Sequence, residues 1–300
     1  MDLRKKTGLS PADAWEVTHE LHALLLDEVF RATQWNPQQA VLHGGTSLHL
    51  AYESVRFSED LDFMVRDDGL EALQKAIPSI IGRVRLRILD KLPGSVIELK
   101  VRDNGKSMPE RMVTWDVRWH HEKRMGKRQV KLEFFSVGPR SLQDYASRMF
   151  MKLPGAGIAM KVQVPVGDLP SLWGDKVKAC ATRPEFKWRD IYDLGFISRQ
   201  FRDWGRPTEA ELHRALLVSA SMYGSQVDDI QRGLSRLLED RALDDQAGYL
   251  ENMALWLDPD THASFLRSGE LVSILESGRA EVELGARLIS EPVAQLAPMP

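Results

Sequence analysis

The chain has 300 residues, of which 43% are apolar and 28% charged, and its net charge at pH 7 is −3. These values are typical of globular proteins, exclude a wholly disordered chain, and allow two domains. A single cysteine, Cys180, excludes an intrachain disulfide framework, so we expect no disulfide partner and a reducing, cytoplasmic location. No apolar run approaches about eighteen residues, and no apolar segment follows the basic N-terminus. We therefore expect neither a membrane span nor a secretory signal.

Charge is unevenly distributed along the chain. Residues 83–131 contain fourteen Lys and Arg against six Asp and Glu, an excess of +8. Residues 227–300 contain six basic and fourteen acidic residues, an excess of −8. A basic middle segment in a mildly acidic protein indicates a polyanionic partner, although a solvated sheet face would explain the same charge.

The first predicted elements lead to a glycine turn. Ser10 as N-cap and Pro11 at the first helical position predict a helix start, and apolar residues follow at helical spacing. A short strand over 40–42 then leads into Gly44–Gly45, and a short helix is predicted over 46–53.

Residues 59–65 alternate between apolar and polar side chains. The alternation predicts a strand that turns Leu61, Phe63 and Val65 toward the core and Asp60 and Asp62 away from it. A helix is predicted over 68–81. Four strand-like runs follow, separated by turn signals, over 84–89, 96–102, 113–120 and 129–137.

A helix followed by antiparallel strands indicates an α+β fold. A Gly/Pro-rich segment around 155–170 is a predicted hinge, and the pattern beyond it is helical. We therefore predict a first domain over 1–165 with a mixed or antiparallel sheet, and a helical domain over 166–300.

The Asp60/Asp62 pair is the strongest local signal for chemistry. Residues i and i+2 of a strand share a face with Cα atoms about 6.5–7 Å apart, so two carboxylates can converge on divalent cations. Mg²⁺ prefers such oxygen ligands, with Mn²⁺ as an alternative. A solvent-facing strand edge would explain the pair as well.

The glycine turn supports the metal interpretation. Gly44 and Gly45 would let backbone N–H groups approach a triphosphate at a helix N-terminus, and the Thr46 hydroxyl would add a donor. A tight turn would explain the glycines equally well. The order strand, Gly-Gly-Thr, helix, Asp-x-Asp strand is more specific than either part.

A third carboxylate follows in the last predicted strand, where Lys131 and Glu133 face away from the apolar side. If this strand neighbours the Asp strand, Glu133 could complete a metal site or accept a proton from an attacking hydroxyl. An ordinary surface Lys/Glu pair is the alternative.

These blocks together resemble the AbiEii/AbiGii toxin family, MenT-like nucleotidyltransferases of the DNA polymerase beta-like superfamily. The resemblance runs from about residue 40 to 195 and rests on Gly-Gly-Thr at 44–46, Arg-Phe-Ser-Glu-Asp-Leu-Asp-Phe at 56–63, Lys-Leu-Glu at 131–133, Gly-Asp-Lys-Val-Lys-Ala at 174–179, and Arg-Asp-Ile-Tyr-Asp-Leu at 189–194. Asp175 stands where the family typically carries Glu, while the lysine after it is kept.

The resemblance implies a polymerase beta-like nucleotidyltransferase domain and a toxin of a type IV toxin–antitoxin or abortive-infection system, with a cognate antitoxin as partner. With Mg²⁺, it would add a nucleotide from a nucleoside triphosphate to the 3′ acceptor end of tRNA, block translation and release pyrophosphate. Asp60, Asp62 and Glu133 would hold the metal. The nucleotide and its phosphates would contact Gly44, Gly45, Thr46, Arg56, Ser58 and Lys131.

The resemblance extends to three further roles. Lys176 would border the active-site cleft and bind the triphosphate, with an ordinary exposed lysine as the alternative. Asp190 would orient Lys176 or Arg56 or help to close the nucleotide pocket, with structural capping of a buried arginine as the alternative. An antitoxin could block the triphosphate seat by phosphorylating Thr46 or Ser47.

A tRNA substrate would need a basic surface. The expected backbone contacts are Arg83, Arg85 and Arg87 on one strand face, together with Lys100, Arg102 and Arg118. Trp115 and Trp119 could stack bases, but core packing is the more frequent role of such residues. Other functions remain open at this point: nucleotidyl transfer to a protein or small-molecule hydroxyl, and a catalytically silent RNA-binding protein.

Overall fold

The computed structural model describes residues 7–8, 11–107, 110–150 and 160–291, which fall into two units. The first unit comprises Met1–Glu53, Ser58–Leu142 and Ser147–Val166. The second comprises Ser54–Phe57, Gln143–Ala146 and Gly167–Pro300. Two short segments, Ser54–Phe57 and Gln143–Ala146, thus belong to the second unit although they precede its main part in the sequence.

The chain up to residue 167 alternates helices with strands. Its elements are β1 (Thr7–Gly8), α1 (Pro11–Thr33), β2 (Ala40–His43), α2 (Gly44–Tyr52), β3 (Asp60–Arg66), α3 (Asp67–Lys91), β4 (Ser95–Asp103), β5 (Met112–His121), β6 (Arg124–Met125), β7 (Lys127–Val137), α4 (Pro139–Asp144), β8 (Ser147–Phe150) and β9 (Val164–Gly167). The helix start predicted at Pro11 is confirmed, while Ser10 lies outside the described residues.

Seven of these strands form one mixed sheet in the order β4-β5-β7-β3-β2-β9-β8. β3 runs parallel to β7 and antiparallel to β2, and β5 runs antiparallel to both β4 and β7. β1 and β6 form a separate parallel pair. The α+β class and the mixed sheet are as predicted.

One face of the sheet is the core of the first unit. Leu61, Phe63 and Val65 are fully buried on it, and the Phe63 ring stacks on Phe134 with 4.9 Å between centroids. Helices α1 and α3 pack against this sheet. The apolar side chains of β3 therefore anchor the strand in the core on the face opposite Asp60 and Asp62, as the alternating pattern predicts.

The two tryptophans of β5 belong to the same core. Trp115 and Trp119 are buried, and Trp119 Nε1 donates a hydrogen bond to Ser95 Oγ at 2.9 Å. Core packing is therefore their role, and neither ring is accessible for stacking on a base.

The prediction of a strand over 84–89 is wrong. This segment continues α3, which is one helix from Asp67 to Lys91. Arg83 and Arg87 therefore lie one helical turn apart, and both form ion pairs with Glu28, a buried residue of α1. Arg85 donates instead to the carbonyl of Ile97 at 3.2 Å. The expected row of three arginines on one strand face does not exist. Arg83 and Arg87 lie one helical turn apart, and this spacing lets both reach the buried Glu28.

The second unit is helical. Its elements are α5 (Leu169–Thr182), α6 (Trp188–Trp204), α7 (Glu209–Met222), α8 (Val227–Glu239), a 3₁₀ turn (Ala242–Asp244), α9 (Gln246–Met253), α10 (Pro259–Ser268) and α11 (Glu270–Ser290). Glycines let α11 pack closely on α6, since a Cβ on Gly195 would lie 2.1 Å from the Ile274 carbonyl oxygen. Thr208 and Glu211 form a capping box at the start of α7.

Within the described ranges, no helix combines the length and the apolar character needed to cross a membrane. The hinge predicted around 155–170 lies partly outside the described residues, which omit 151–159.

Candidate active site

A glycine turn joins β2 to α2 next to the Asp62 carboxylate. The helix begins at Gly44, two residues earlier than predicted, and Gly44 has a φ of +76°. A Cβ at this position would lie 2.4 Å from Asp62 Oδ2. Only glycine combines this left-handed conformation with such a close approach, so the N-terminus of α2 lies directly beside one carboxylate of the predicted pair.

Thr46 and Ser47 point into the protein rather than toward a ligand. Both side chains are fully buried. The Thr46 hydroxyl donates to the Asp60 carbonyl oxygen, and the Ser47 hydroxyl donates to the Gly44 carbonyl oxygen at 2.8 Å. Thr46 therefore ties α2 to the start of β3, and the hydroxyl is not the free phosphate donor that the sequence predicted. Phosphorylation of either residue would first require α2 to open.

The two aspartates and the Lys131/Glu133 pair occupy one face of neighbouring strands. In the parallel register of β3 and β7, Asp60 is opposite Lys131 and Asp62 is opposite Glu133. All four residues are partly exposed. The strand of Glu133 therefore neighbours the strand of Asp60 and Asp62, as a role for Glu133 at the metal site or as a proton acceptor requires.

Lys131 supplies a positive charge at this site. Its Nζ lies 2.7 Å from Glu133 Oε1. Burial opposes the charged form, but Glu133, Asp60 and Asp62 together raise the pKa of Lys131 above its ordinary value. The lysine therefore remains protonated while it neutralises part of the carboxylate charge.

The donor set is suited to Mg²⁺. Asp60 and Asp62 offer hard oxygen ligands from one strand face, and Glu133 lies on the neighbouring strand. No three acidic, histidine or cysteine side chains in the described part of the chain gather into a ready cation cage. Mg²⁺ is commonly held by one or two carboxylates plus substrate phosphates. Asp60 and Asp62 could therefore hold the ion once a nucleotide supplies its phosphate oxygens.

The same sheet face continues outward across β5 and β4 with basic residues. Lys131 is opposite Asp116, which is opposite Lys100, and these residues form one row of side chains. Arg102, on the next row, lies 3.0 Å from Asp116. Lys100, Arg102 and Arg118 are exposed, so they extend a partly basic surface away from the aspartates.

Arg56, Lys176 and Asp190 lie in the second unit, where they form an ion cluster with the buried Asp193 and the exposed Arg183; we call it the Arg56 cluster. Arg56 binds Asp193 through two hydrogen bonds of 2.7 and 2.8 Å. Lys176 Nζ lies 2.6 Å from Asp193 Oδ2 and 3.0 Å from Asp190 Oδ1. Arg183 Nη1 lies 3.1 Å from Asp190 Oδ2.

The cluster explains why these charges tolerate burial. Arg56 and Lys176 are 1% and 6% exposed, and each is paired with at least one carboxylate. Asp190 contacts Lys176, which matches one of the predicted alternatives, whereas the partner of Arg56 is Asp193. The predicted contacts of Arg56 and Lys176 with a triphosphate stay predictions, as does that of the half-buried Ser58.

Asp175 has a separate structural role nearby in the second unit. Its two carboxylate oxygens accept hydrogen bonds of 2.7 Å from the Tyr145 and Ser219 hydroxyls. The substitution of Asp for the family's usual Glu therefore falls at a buried, fully engaged side chain.

Sequence reasoning missed a pocket of about 510 Å³ beside Asp60. Trp15 and Thr18 of α1 line it together with the starts of β3 and β7, including Arg128 and Gln129. The residues come from three separate stretches of the chain, so no local motif could reveal it. The role of Asp193 as the partner of Arg56 was also missed, because the local sequence of α6 does not show which arginine its carboxylate binds.

The fold and site together define a class. A mixed sheet that sets a one-sided pair of aspartates beside a glycine turn and a helix N-terminus, with a third carboxylate on the adjacent strand, is the arrangement expected of a nucleotidyltransferase. The family model for the nucleotidyl transferase AbiEii toxin of type IV toxin–antitoxin systems matches residues 25–265. The chain belongs to this family, and the family implies an antitoxin partner.

The fold is similar to that of a solved nucleotidyltransferase toxin. MenT4, a nucleotidyltransferase toxin from Mycobacterium tuberculosis H37Rv, superposes with a TM-score of 0.51 at 16% identity, over 96% of this chain and 95% of that one. JHP933 from Helicobacter pylori gives a TM-score of 0.49 at 17% identity, over 93% and 94% of the two chains. None of the curated proteins compared with the sequence matches it.

Proposed function

We propose that this toxin is an Mg²⁺-dependent nucleotidyltransferase that adds a nucleotide from a nucleoside triphosphate to the 3′ acceptor end of tRNA and thereby blocks translation in the cytoplasm. The observation that carries the proposal is the position of Asp60 and Asp62 on one strand face, with Gly44 on one side and Glu133 on the other. Three carboxylates and a glycine in the left-handed conformation have no common structural purpose at this place.

Each group of site residues has its own role in the proposed reaction. Backbone N–H groups at the N-terminus of α2 would hold the triphosphate, because a helix N-terminus favours an anion. Asp60 and Asp62 would hold Mg²⁺, which when bound neutralises charge on the phosphate oxygens. Glu133 would accept the proton of the attacking hydroxyl. The hydroxyl oxygen bonds to the α-phosphorus as the bond to pyrophosphate breaks in line with it.

The choice of tRNA rests on charge. Lys100, Arg102 and Arg118 extend the sheet face that bears the aspartates, and they lie in the basic segment 83–131. Phosphate contacts of this kind supply affinity without reading sequence. An RNA that follows this face would bring its end toward Asp60.

The direct test is to incubate the protein with total tRNA, Mg²⁺ and each labelled nucleoside triphosphate in turn. Label should appear on tRNA, and chelation of the metal should abolish it. Asp60→Asn and Asp62→Asn should each reduce transfer about 100-fold or more while thermal unfolding stays near that of the wild type. Asp90→Asn, which removes the same charge from an exposed position of α3, is the matched control and should retain activity.

Label found on protein and never on RNA would refute the tRNA substrate. Full activity in either aspartate variant would refute the assignment of the metal ligands. In growing cells, expression of the wild type should stop protein synthesis, and the same two substitutions should relieve the arrest.

A further inference from the structure

The pocket beside Asp60 exists because two neighbouring strands start at different places. β3 begins at Asp60, opposite Lys131, whereas β7 already begins at Lys127. β3 therefore offers no partner to residues 127–130, and the edge of β7 there faces a gap. The N-terminal part of α1 closes the gap with Trp15 and Thr18.

The size and chemistry of the pocket suit a nucleotide. Its volume of about 510 Å³ lies within the usual range for small-ligand sites, about 300–1,000 Å³. Trp15 supplies an aromatic surface, Gln129 an amide, and Arg128 and Lys131 positive charge, while the carboxylates of Glu59 and Asp60 also line the pocket. Aromatic and basic side chains in one groove are the usual means of holding unpaired nucleotides.

Arg128 points independently to a ligand. Its Nε is buried, and it has no hydrogen-bond partner among the residues that the structure describes. A buried guanidinium nitrogen without an acceptor is costly, so turning the Arg128 side chain toward a phosphate or base oxygen in the pocket would be favourable.

The position of the pocket identifies which of the two substrates it receives. In the sheet order, β2 and β7 lie on opposite sides of β3. The glycine turn after β2 contacts Asp62, so the triphosphate seat is on the β2 side, while the pocket reaches Asp60 from the β7 side. In-line displacement requires the attacking and leaving oxygens on opposite sides of the phosphorus. A pocket across the aspartates from the triphosphate seat therefore belongs to the acceptor.

We infer that this pocket binds the terminal nucleotide of the acceptor RNA, with its base on Trp15 and a backbone phosphate at Arg128, so that its 3′-hydroxyl faces Asp60. This assignment rests on the proposed function and adds a subsite to it. The terminal nucleotide of an RNA end is unpaired and can enter a pocket that a duplex cannot.

A first test uses the wild-type protein without nucleoside triphosphate. An RNA hairpin with a single-stranded CCA end is compared with the same hairpin lacking its whole single-stranded end, and binding is followed by fluorescence anisotropy. The complete end should bind about tenfold more tightly, because stacking of one base on an aromatic side chain contributes about that factor or more. Equal affinities would overturn the assignment.

A second test uses two variants, Trp15→Leu and Arg128→Gln. Each should raise the KM for the hairpin about tenfold or more while the KM for the nucleoside triphosphate changes less than about twofold. Arg140→Gln, an exposed arginine of α4 outside the pocket, and Trp204→Leu, an exposed tryptophan of α6, are the matched controls. Urea unfolding of each variant verifies that it is folded.

The outcomes separate this assignment from the proposed function. If RNA is labelled but the variants leave its KM unchanged, or raise the KM for the nucleoside triphosphate instead, the acceptor pocket is refuted and tRNA transfer stands. If label appears only on protein, the proposed function fails and the acceptor pocket fails with it.

Discussion

Replacing Asp193 with asparagine tests whether the buried cations of the Arg56 cluster depend on this carboxylate for their stability. Asp193 is fully buried and accepts hydrogen bonds from Arg56, while Lys176 lies 2.6 Å from its Oδ2. An asparagine keeps the shape but removes the charge. Lys176 would then keep its contact with Asp190, whereas Arg56 would lose the carboxylate that accepts two of its hydrogen bonds.

The expected loss is large because the cations are almost inaccessible to water. Breaking a buried ion pair by removing one partner costs about 3–5 kcal/mol, and we expect Asp193→Asn to lower the free energy of unfolding by about that amount at pH 7. Burial acts to raise the pKa of the Asp193 carboxyl, but Arg56 and Lys176 hold it below its ordinary value. The contribution of the charge is therefore complete above about pH 4 and is lost as the pH falls through the pKa of the folded state.

Urea unfolding followed by tryptophan fluorescence and far-UV circular dichroism measures this effect. The double variant Arg56→Gln/Asp193→Asn should be less destabilised than the sum of the single variants, with a coupling energy of about 0.5–3 kcal/mol. Asp203→Asn, an exposed position of the same helix, should change stability by less than about 0.5 kcal/mol. A loss below about 1 kcal/mol for Asp193→Asn, or single effects that simply add, would refute the reasoning.

Three further predictions follow from the first unit. Gly44→Ala should reduce transfer about 100-fold by displacing Asp62, whereas Gly105→Ala, also at positive φ but in open space, should leave transfer intact; equal rates would contradict this. Burial lowers the pKa of His22 to about 3, so the free energy of unfolding should fall as the pH decreases from about 6.5, and His22→Gln should flatten that slope. Lys131→Met should tighten Mn²⁺ binding about two- to fivefold in titration calorimetry, since it removes a competing cation; weaker binding would exclude that role.

Local pattern was sufficient for the strand that carries the chemistry. The alternation over 59–65 correctly assigns Leu61 and Phe63 to the core and Asp60 and Asp62 to the opposite face, because the side-chain period of a strand depends only on the backbone. The same holds for the strand that bears Lys131 and Glu133. The family could also be read from the spacing of these motifs.

Local pattern failed where a distant partner decided the outcome. Residues 84–89 have the apolar and basic alternation of a strand, yet they are helical, because Arg83 and Arg87 reach the buried Glu28 only at helical spacing. Likewise, the sequence shows the Thr46 hydroxyl but cannot show that the Asp60 carbonyl already accepts its hydrogen bond.

The sequence by itself thus determined the class of chemistry: two carboxylates on one face, a glycine turn before them, and a lysine and a glutamate on a later strand. Only the tertiary structure decided which strands are neighbours, since register and strand order depend on contacts between residues far apart in the chain. That order places Gly44 and the pocket beside Asp60 on opposite sides of β3. The tertiary structure also brings Arg56 next to Asp193, 137 residues away in the sequence. A buried charge is stable only beside a partner of opposite charge.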